Sequence, residues 1–193
     1  MSDQNIVLGN EGANLIERRD VLKMGLTGVL ATTLPLGFAQ DAHAKKNTWR
    51  VSFRNAHTGD SFNGVYRVGN KYMPEAFERM NYVLRDFRTG EVFPMDPRVI
   101  DILALVQQKS GQRKHVDILS GYRSPKTNAR LRKNTNGVAR NSFHMYGQAL
   151  DMRIEGFSTR SLRNIATGLK AGGVGYYPKS SFVHIDTGAV RTW

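Results

Sequence analysis

Between Trp49 and Phe53 the apolar positions Trp49, Val51 and Phe53 alternate with polar ones. His57-Thr58-Gly59-Asp60 then interrupts, and a second short run reaches Tyr66. Alternation, break and alternation predict a β-hairpin, with His57 read as a turn residue rather than a ligand because no second histidine or carboxylate cluster surrounds it. Over residues 74–87, Phe77, Met80, Val83, Leu84 and Phe87 recur at helical spacing, and Val99, Ile102, Leu103, Leu105 and Val106 do the same before Gly111. Both stripes predict core-facing helices and carry no chemistry of their own. The β-rich run Val116–Tyr122 leads to Ser124-Pro125, a helix cap followed by proline in the first turn, so a strand passes into a helix at Arg123.

Residues 134–141 are polar and rich in turn formers, which predicts a loop. Ala149, Asp151 and Arg153 then alternate with Leu150, Met152 and Ile154 as a strand requires. Leu162, Ile165, Ala166 and Leu169 predict a last helix that stops at Gly172-Gly173. A turn is expected over 174–178, and a closing strand over 182–185. Strands and helices mix without a βαβ repeat, which predicts an α+β domain with a mainly antiparallel sheet flanked by helices.

The 193 residues suffice for one domain with a core. Residues 1–44 have the layout of an export signal of the twin-arginine type. Arg18-Arg19 precedes Val21-Leu22-Lys23 and an apolar stretch from Met24 to Phe38, which is short for a bilayer span, and small residues follow at Ala42-His43-Ala44. The position that usually holds an aromatic is Val21. Residues 45–193 are then the mature domain, expected to be exported to the periplasm. That removal takes three of 28 basic and five of 16 acidic residues, leaving 25 against 11, a net charge of +14. Such a field gathers anionic polymers. An exported protein rarely meets nucleic acid, so anionic cell-wall polymer or a peripheral contact with phospholipid head groups fits better. A basic surface that serves solubility alone fits the charge equally well. The chain has no cysteine, which excludes disulfides and thiolate metal sites and leaves His and carboxylates as the available ligands.

The block from Ser142 to Asp151 contains His144 and Asp151 in an H-x6-D spacing, and Phe182-Val183-His184-Ile185-Asp186 follows some thirty positions later. Two imidazoles and a carboxylate suit a catalytic Zn2+ site, since three protein ligands leave a position for water. H-x6-D is less specific than two histidines on one helix face, and a lone histidine is more often structural. Residue types alone therefore leave both readings standing. Gly172–Gly175 lacks the Gly-Lys-Ser/Thr ending of a phosphate loop, which rules out a nucleotide site there.

Four segments in order decide between those readings: Ser120-Gly121-Tyr122-Arg123-Ser124, the S-x-H-x6-D block, Gly172-Gly173-Val174-Gly175-Tyr176-Tyr177-Pro178, and Phe182 to Gly188. Over nearly the whole mature chain they resemble the M15 peptidases, zinc enzymes related to D-Ala-D-Ala peptidases, and within that group its murein endopeptidases. The resemblance implies a hedgehog/D-Ala-D-Ala peptidase-like fold with zinc on the sheet, held by His144, Asp151 and His184. It assigns Arg123 to steadying the oxyanion, a role a guanidinium at the end of a strand can fill. Ser142 also sits in the motif and, with Tyr176 and Tyr177 at the expected cleft rim, is taken as substrate-binding. Many M15 members carry Asp or Glu three residues before the last ligand as general base; here that residue is Ser181. Asp186 is the best substitute, as base or as a brace for His184, because residues two apart on a strand share a face; His115 ranks behind it. The implied activity is zinc-dependent hydrolysis of peptide cross-links between murein stem peptides. Trimming of D-Ala ends and a non-catalytic zinc-containing murein-binding protein are the rivals.

Overall fold

The computed structural model describes residues 48–111, 115–135 and 137–193; the export signal expected over 1–44 lies outside them. The alternating run after Trp49 forms strands β1 (Thr48–Asn55) and β2 (Ser61–Val68), paired antiparallel with Phe53 opposite Phe62. Asn55 closes the turn, its side-chain oxygen accepting from the backbone N–H groups of His57 and Thr58. A two-residue strand β3 (Lys71–Tyr72) pairs back onto β2. Helix α1 (Pro74–Val83) begins on its proline and stops at Leu84, short of the expected 87. The backbone there turns to meet the segment bearing Arg123: the Leu84 carbonyl accepts from Tyr122 N–H at 2.8 Å. Phe87 accordingly leaves the helical stripe and stacks on His57.

Helix α2 (Pro97–Ser110) is capped by the Asp96 carboxylate and ends at Gly111, whose φ of 64° suits glycine alone without strain. Then follow β4 (Val116–Ser120), α3 (Pro125–Asn134), a 3-10 turn (Phe143–Tyr146), β5 (Ala149–Ile154), α4 (Thr159–Gly168), β6 (Gly173–Tyr177), a short 3-10 segment (Pro178–Ser180), β7 (Phe182–Asp186) and β8 (Arg191–Thr192). Ser124 and Ser158 cap α3 and α4 with their hydroxyls. Among the described residues no helix is long and apolar enough to cross a membrane.

The eight strands described make one sheet in the order β3-β2-β1-β4-β5-β7-β6-β8. All neighbours are antiparallel except β1–β4 and β6–β8, so the α+β, mainly antiparallel expectation holds. Its two faces differ in kind. Val51, Phe53, Val116, Ile118, Leu150, Met152, Val183 and Ile185 form one buried cluster with Leu103, Val106, Leu162 and Ala166 of α2 and α4. Each fully buried Val, Leu, Ile, Phe or Met side chain among them contributes about 1.5–3 kcal/mol. The intervening positions, Arg54, Asp117, Asp151, Arg153, His184 and Asp186, fall on the opposite face by strand alternation.

Residues 174–177 belong to strand β6 rather than to a turn, Val174 pairing with Ile185 and Tyr176 with Val183, and the chain turns only from Pro178. Glycine-rich propensity loses to tertiary pairing here. A Cβ at Gly173 would stand 2.6 Å from an Asp186 carboxylate oxygen, and one at Gly175 would stand 2.8 Å from the Trp193 ring. These glycines leave room for what lies on the polar face. The expected closing strand β7 is interior as a result, and β8 forms the edge.

Candidate metal centre

His144 sits in the 3-10 turn ahead of β5, Asp151 on β5 and His184 directly opposite it on β7. Gly147 ends the turn with φ 65°, and a Cβ there would collide with the Pro94 carbonyl, so this crossing needs glycine. His144 Nδ1 lies 2.8 Å from the Gly121 carbonyl, which can only accept, so Nδ1 carries the proton and the Nε2 lone pair faces the centre. His184 is held the other way round. Its Nε2 donates to Asp186 Oδ2 at 3.1 Å, and its Nδ1 faces Asp151 Oδ1 at 2.8 Å and His144 Nε2 at 3.2 Å. His144 Nε2 to Asp151 Oδ1 is 3.2 Å.

Three donors thus form a triangle with edges of 2.8, 3.2 and 3.2 Å. Tetrahedral ligation with bonds of about 2.0–2.1 Å has donor edges of about 3.3 Å, so the set fits a small borderline cation with modest expansion. Among the described residues this is the one His/Asp/Glu group that could hold a metal ion.

The charges suit that use. Burial works against the Asp151 carboxylate, yet His144 and His184 beside it hold its pKa far below the usual range. It stays ionised. Burial favours neutral His144 and lowers its pKa despite Asp151. For His184 burial is outweighed by the hydrogen bonds to Asp151 and Asp186, which raise it.

Arg123 stands beside the triangle, tied to it by its backbone N–H, which donates to the His144 carbonyl at 3.1 Å. Its guanidinium makes only long contacts: 3.5 Å to Asp151 Oδ2, 3.3 Å to Ser120 Oγ and 3.5 Å to Asn128 Oδ1. Its Nε is buried without a partner. Desolvation lowers the Arg123 pKa and Asp151 resists that, so the group remains a cation with donor capacity to spare. The loop behind it is anchored by buried Asp86, which accepts from Ser124 N–H at 3.0 Å and Ser124 Oγ–H at 2.7 Å. Nothing in the local sequence marks Asp86 as part of this assembly.

Asp186 has no exposed surface and lies behind His184. Its oxygens take the His184 Nε2–H, a bidentate pair from Arg191 at 3.0 and 2.7 Å, and the backbone N–H groups of Gly173 and Gly188. Burial is outweighed by these donors, so its pKa lies far below the usual carboxylate value. Tyr177 shares the His184 face and stacks on Phe182 at 4.5 Å. Tyr176 does not reach the site: it falls on the opposite face, 5.2 Å below the Arg163 guanidinium of α4. Ser142 is buried immediately before the 3-10 turn. His115 bonds Ser52 at the far end of β4, away from Ser120 and the centre. Ser181, in a left-handed turn, borders a cavity of about 430 Å³ at that distant end, where Arg54 and Arg153 share the Asp117 carboxylate and no metal-site residue contributes.

Two further residues of this region lie beyond the last motif read in the sequence. Arg191 braces Asp186, and Trp193 brings its ring within 5.3 Å of the His184 imidazole. Their arginine and tryptophan identities so near the third ligand are the only available signal.

A His/Asp/His group that could hold a metal ion, flanked by a buried guanidinium, matches the ligand pattern of metal-dependent hydrolases. Comparison with known proteins narrows the class. The M15 peptidase family model described as "Peptidoglycan L,D-endopeptidase MepK" matches residues 43–193, and the chain belongs to that family. It is 41% identical over 179 residues to "Peptidoglycan L,D-endopeptidase MepK" of Escherichia coli K12, covering 91% of this chain and 96% of that one. It is 40% identical over 144 residues to "Probable peptidoglycan L,D-endopeptidase MepK" of Haemophilus influenzae, covering 74% and 77%. The protein is a peptidase of this family.

Proposed function

We propose that the protein is an exported zinc endopeptidase that hydrolyses murein peptide cross-links at bonds between an L- and a D-centre. The observation that carries this reading is the convergence of His144 Nε2, Asp151 Oδ1 and His184 Nδ1 beside Arg123, in a chain so similar to relatives named for that activity. The three donors are of the type and number that zinc takes in catalytic sites, and the hedgehog/D-Ala-D-Ala peptidase-like arrangement of the sheet is in keeping with this. When bound, zinc supplies Lewis acidity toward a carbonyl and eases the ionisation of water.

The side chains do the rest. Asp151 provides a carboxylate that stays charged, and the Gly121 carbonyl and Asp186 fix each imidazole with one nitrogen turned inward. Arg123 donates to the scissile carbonyl oxygen as negative charge gathers there, an interaction stronger in the transition state than in the substrate. Asp186, with every oxygen already engaged by donors, acts as a positioning residue for His184 rather than as the proton acceptor. The arginine pair at 18–19 and the apolar run after it support export to the periplasm. The +14 charge of the mature segment supports attraction to anionic wall polymer or membrane head groups.

The test is digestion of defined cross-linked muropeptide dimers with the products read by mass. Dimers converted to monomers with zinc present support the proposal. Release of D-Ala alone moves the activity to end-trimming, and intact dimers beside bound murein move it to a non-catalytic binding protein.

A further inference from the structure

Trp193 is a large aromatic residue placed beside the metal centre and left half open. Its backbone is tied to β6 on both sides, N–H to the Val174 carbonyl at 3.3 Å and C=O from Tyr176 N–H at 2.9 Å. The indole Nε1–H donates to Tyr177 Oη at 2.8 Å, the Arg191 guanidinium lies 4.8 Å from its ring, and Gly175 supplies the space beneath it. The ring stands 5.3 Å from the His184 imidazole, yet the residue is 49% exposed. An aromatic this firmly held gains little from exposure and loses little entropy when a ligand covers it.

We propose that Trp193 and Tyr177 form the wall of a substrate subsite and grip the aliphatic part of the peptide residue next to the scissile bond. The sheet order places Asp151 on β5 beside His184 on β7, with Arg123 approaching from the β4 side and Trp193 from the β8 side. A peptide whose carbonyl faces Arg123 therefore lays a neighbouring residue across the indole. The ligand chemistry follows from what the ring presents. Its one donor is engaged by Tyr177, so the open face offers apolar contact to carbon chains and no hydrogen bond.

This inference rests on the endopeptidase reading, and the experiment separates the two. In metal-loaded protein, Trp193→Ala raises KM for cross-linked dimers about tenfold, the factor expected for one lost aromatic contact. Zinc content is unchanged and kcat stays close to that of the parent protein, while Trp193→Phe recovers most of the loss. Dimers in which the flanking side chain is cut back to alanine are handled alike by parent and Trp193→Ala.

A second measurement needs no turnover. With Trp49→Phe, Trp193 is the sole tryptophan, and adding Arg123→Ala slows hydrolysis; the emission shifts to the blue as dimers bind. Unchanged KM in Trp193→Ala, loss of zinc from that variant, or an unmoved emission overturns the subsite. A parent protein that cleaves dimers while Trp193→Ala behaves identically sinks the subsite alone. A zinc-loaded parent that leaves every dimer intact overturns the endopeptidase reading and the subsite with it.

Discussion

Asp186 Oδ2 sits 3.1 Å from His184 Nε2, on the side of the ring away from Asp151, so the two carboxylates hold one imidazole from opposite nitrogens. A carboxylate behind a ligand raises the ligand's basicity and fixes its tautomer, whereas a proton acceptor must reach the water. Asp186→Asn is therefore expected to weaken zinc binding by about 10–100-fold, with turnover returning as zinc is raised to saturation. Titration against a competing chelator, beside kcat at saturating zinc, decides the matter. Full zinc affinity with lost turnover would put Asp186 in the proton transfer instead.

Arg123 answers to the opposite test. Its donors contact Asp151 only at 3.5 Å, so the metal site does not depend on it. Arg123→Ala should lower kcat by about 10²–10³, the cost of one oxyanion donor, and leave the zinc content unchanged. Arg123→Lys should recover only part of this, because an ammonium lacks the planar fork. A variant with parental kcat would remove Arg123 from the chemistry.

Asp86 supports Arg123 from below and makes stability depend on acid. Burial opposes its charge, but the Ser124 hydroxyl and the backbone N–H groups of Ser124 and Arg88 donate to it and lower its pKa from 3.8. A carboxylate whose pKa is lower folded than unfolded stabilises the fold above the unfolded value, and the contribution fades as pH falls through the folded one. At pH 7, Asp86→Asn should cost about 1.5–3 kcal/mol in denaturant unfolding, the range for hydrogen bonds to a charged group. The gap between variant and parent should narrow below pH 4 and keep narrowing toward the folded value. A gap constant from pH 7 to 3 would show that the charge of Asp86 contributes nothing.

Much of this was legible in the chain because local pattern and tertiary role agree. Alternation around Asp151, the Ser124-Pro125 cap and the His-Asp-His spacing each report a local requirement that the fold also imposes. The failures have physical causes. The Gly173–Tyr177 strand reads as a turn because its glycines clear space for Asp186, Arg191 and Trp193, partners remote in sequence or beyond the last motif. Tyr176 and Tyr177 are adjacent, so on a strand only one can face the centre. The shortening of α1 is set by Leu84 and Asp86 meeting the Tyr122–Ser124 segment, a contact across 38 residues.

The most direct measurement is the fate of a defined dimer joined through an L-to-D peptide bond, incubated with the protein as purified, after chelator treatment, and after zinc is restored. The account predicts monomers of the masses expected for hydrolysis at that bond, none after chelation, and recovery with zinc. Cleavage that persists through chelation, or dimers that stay intact beside fully zinc-loaded protein, would contradict it.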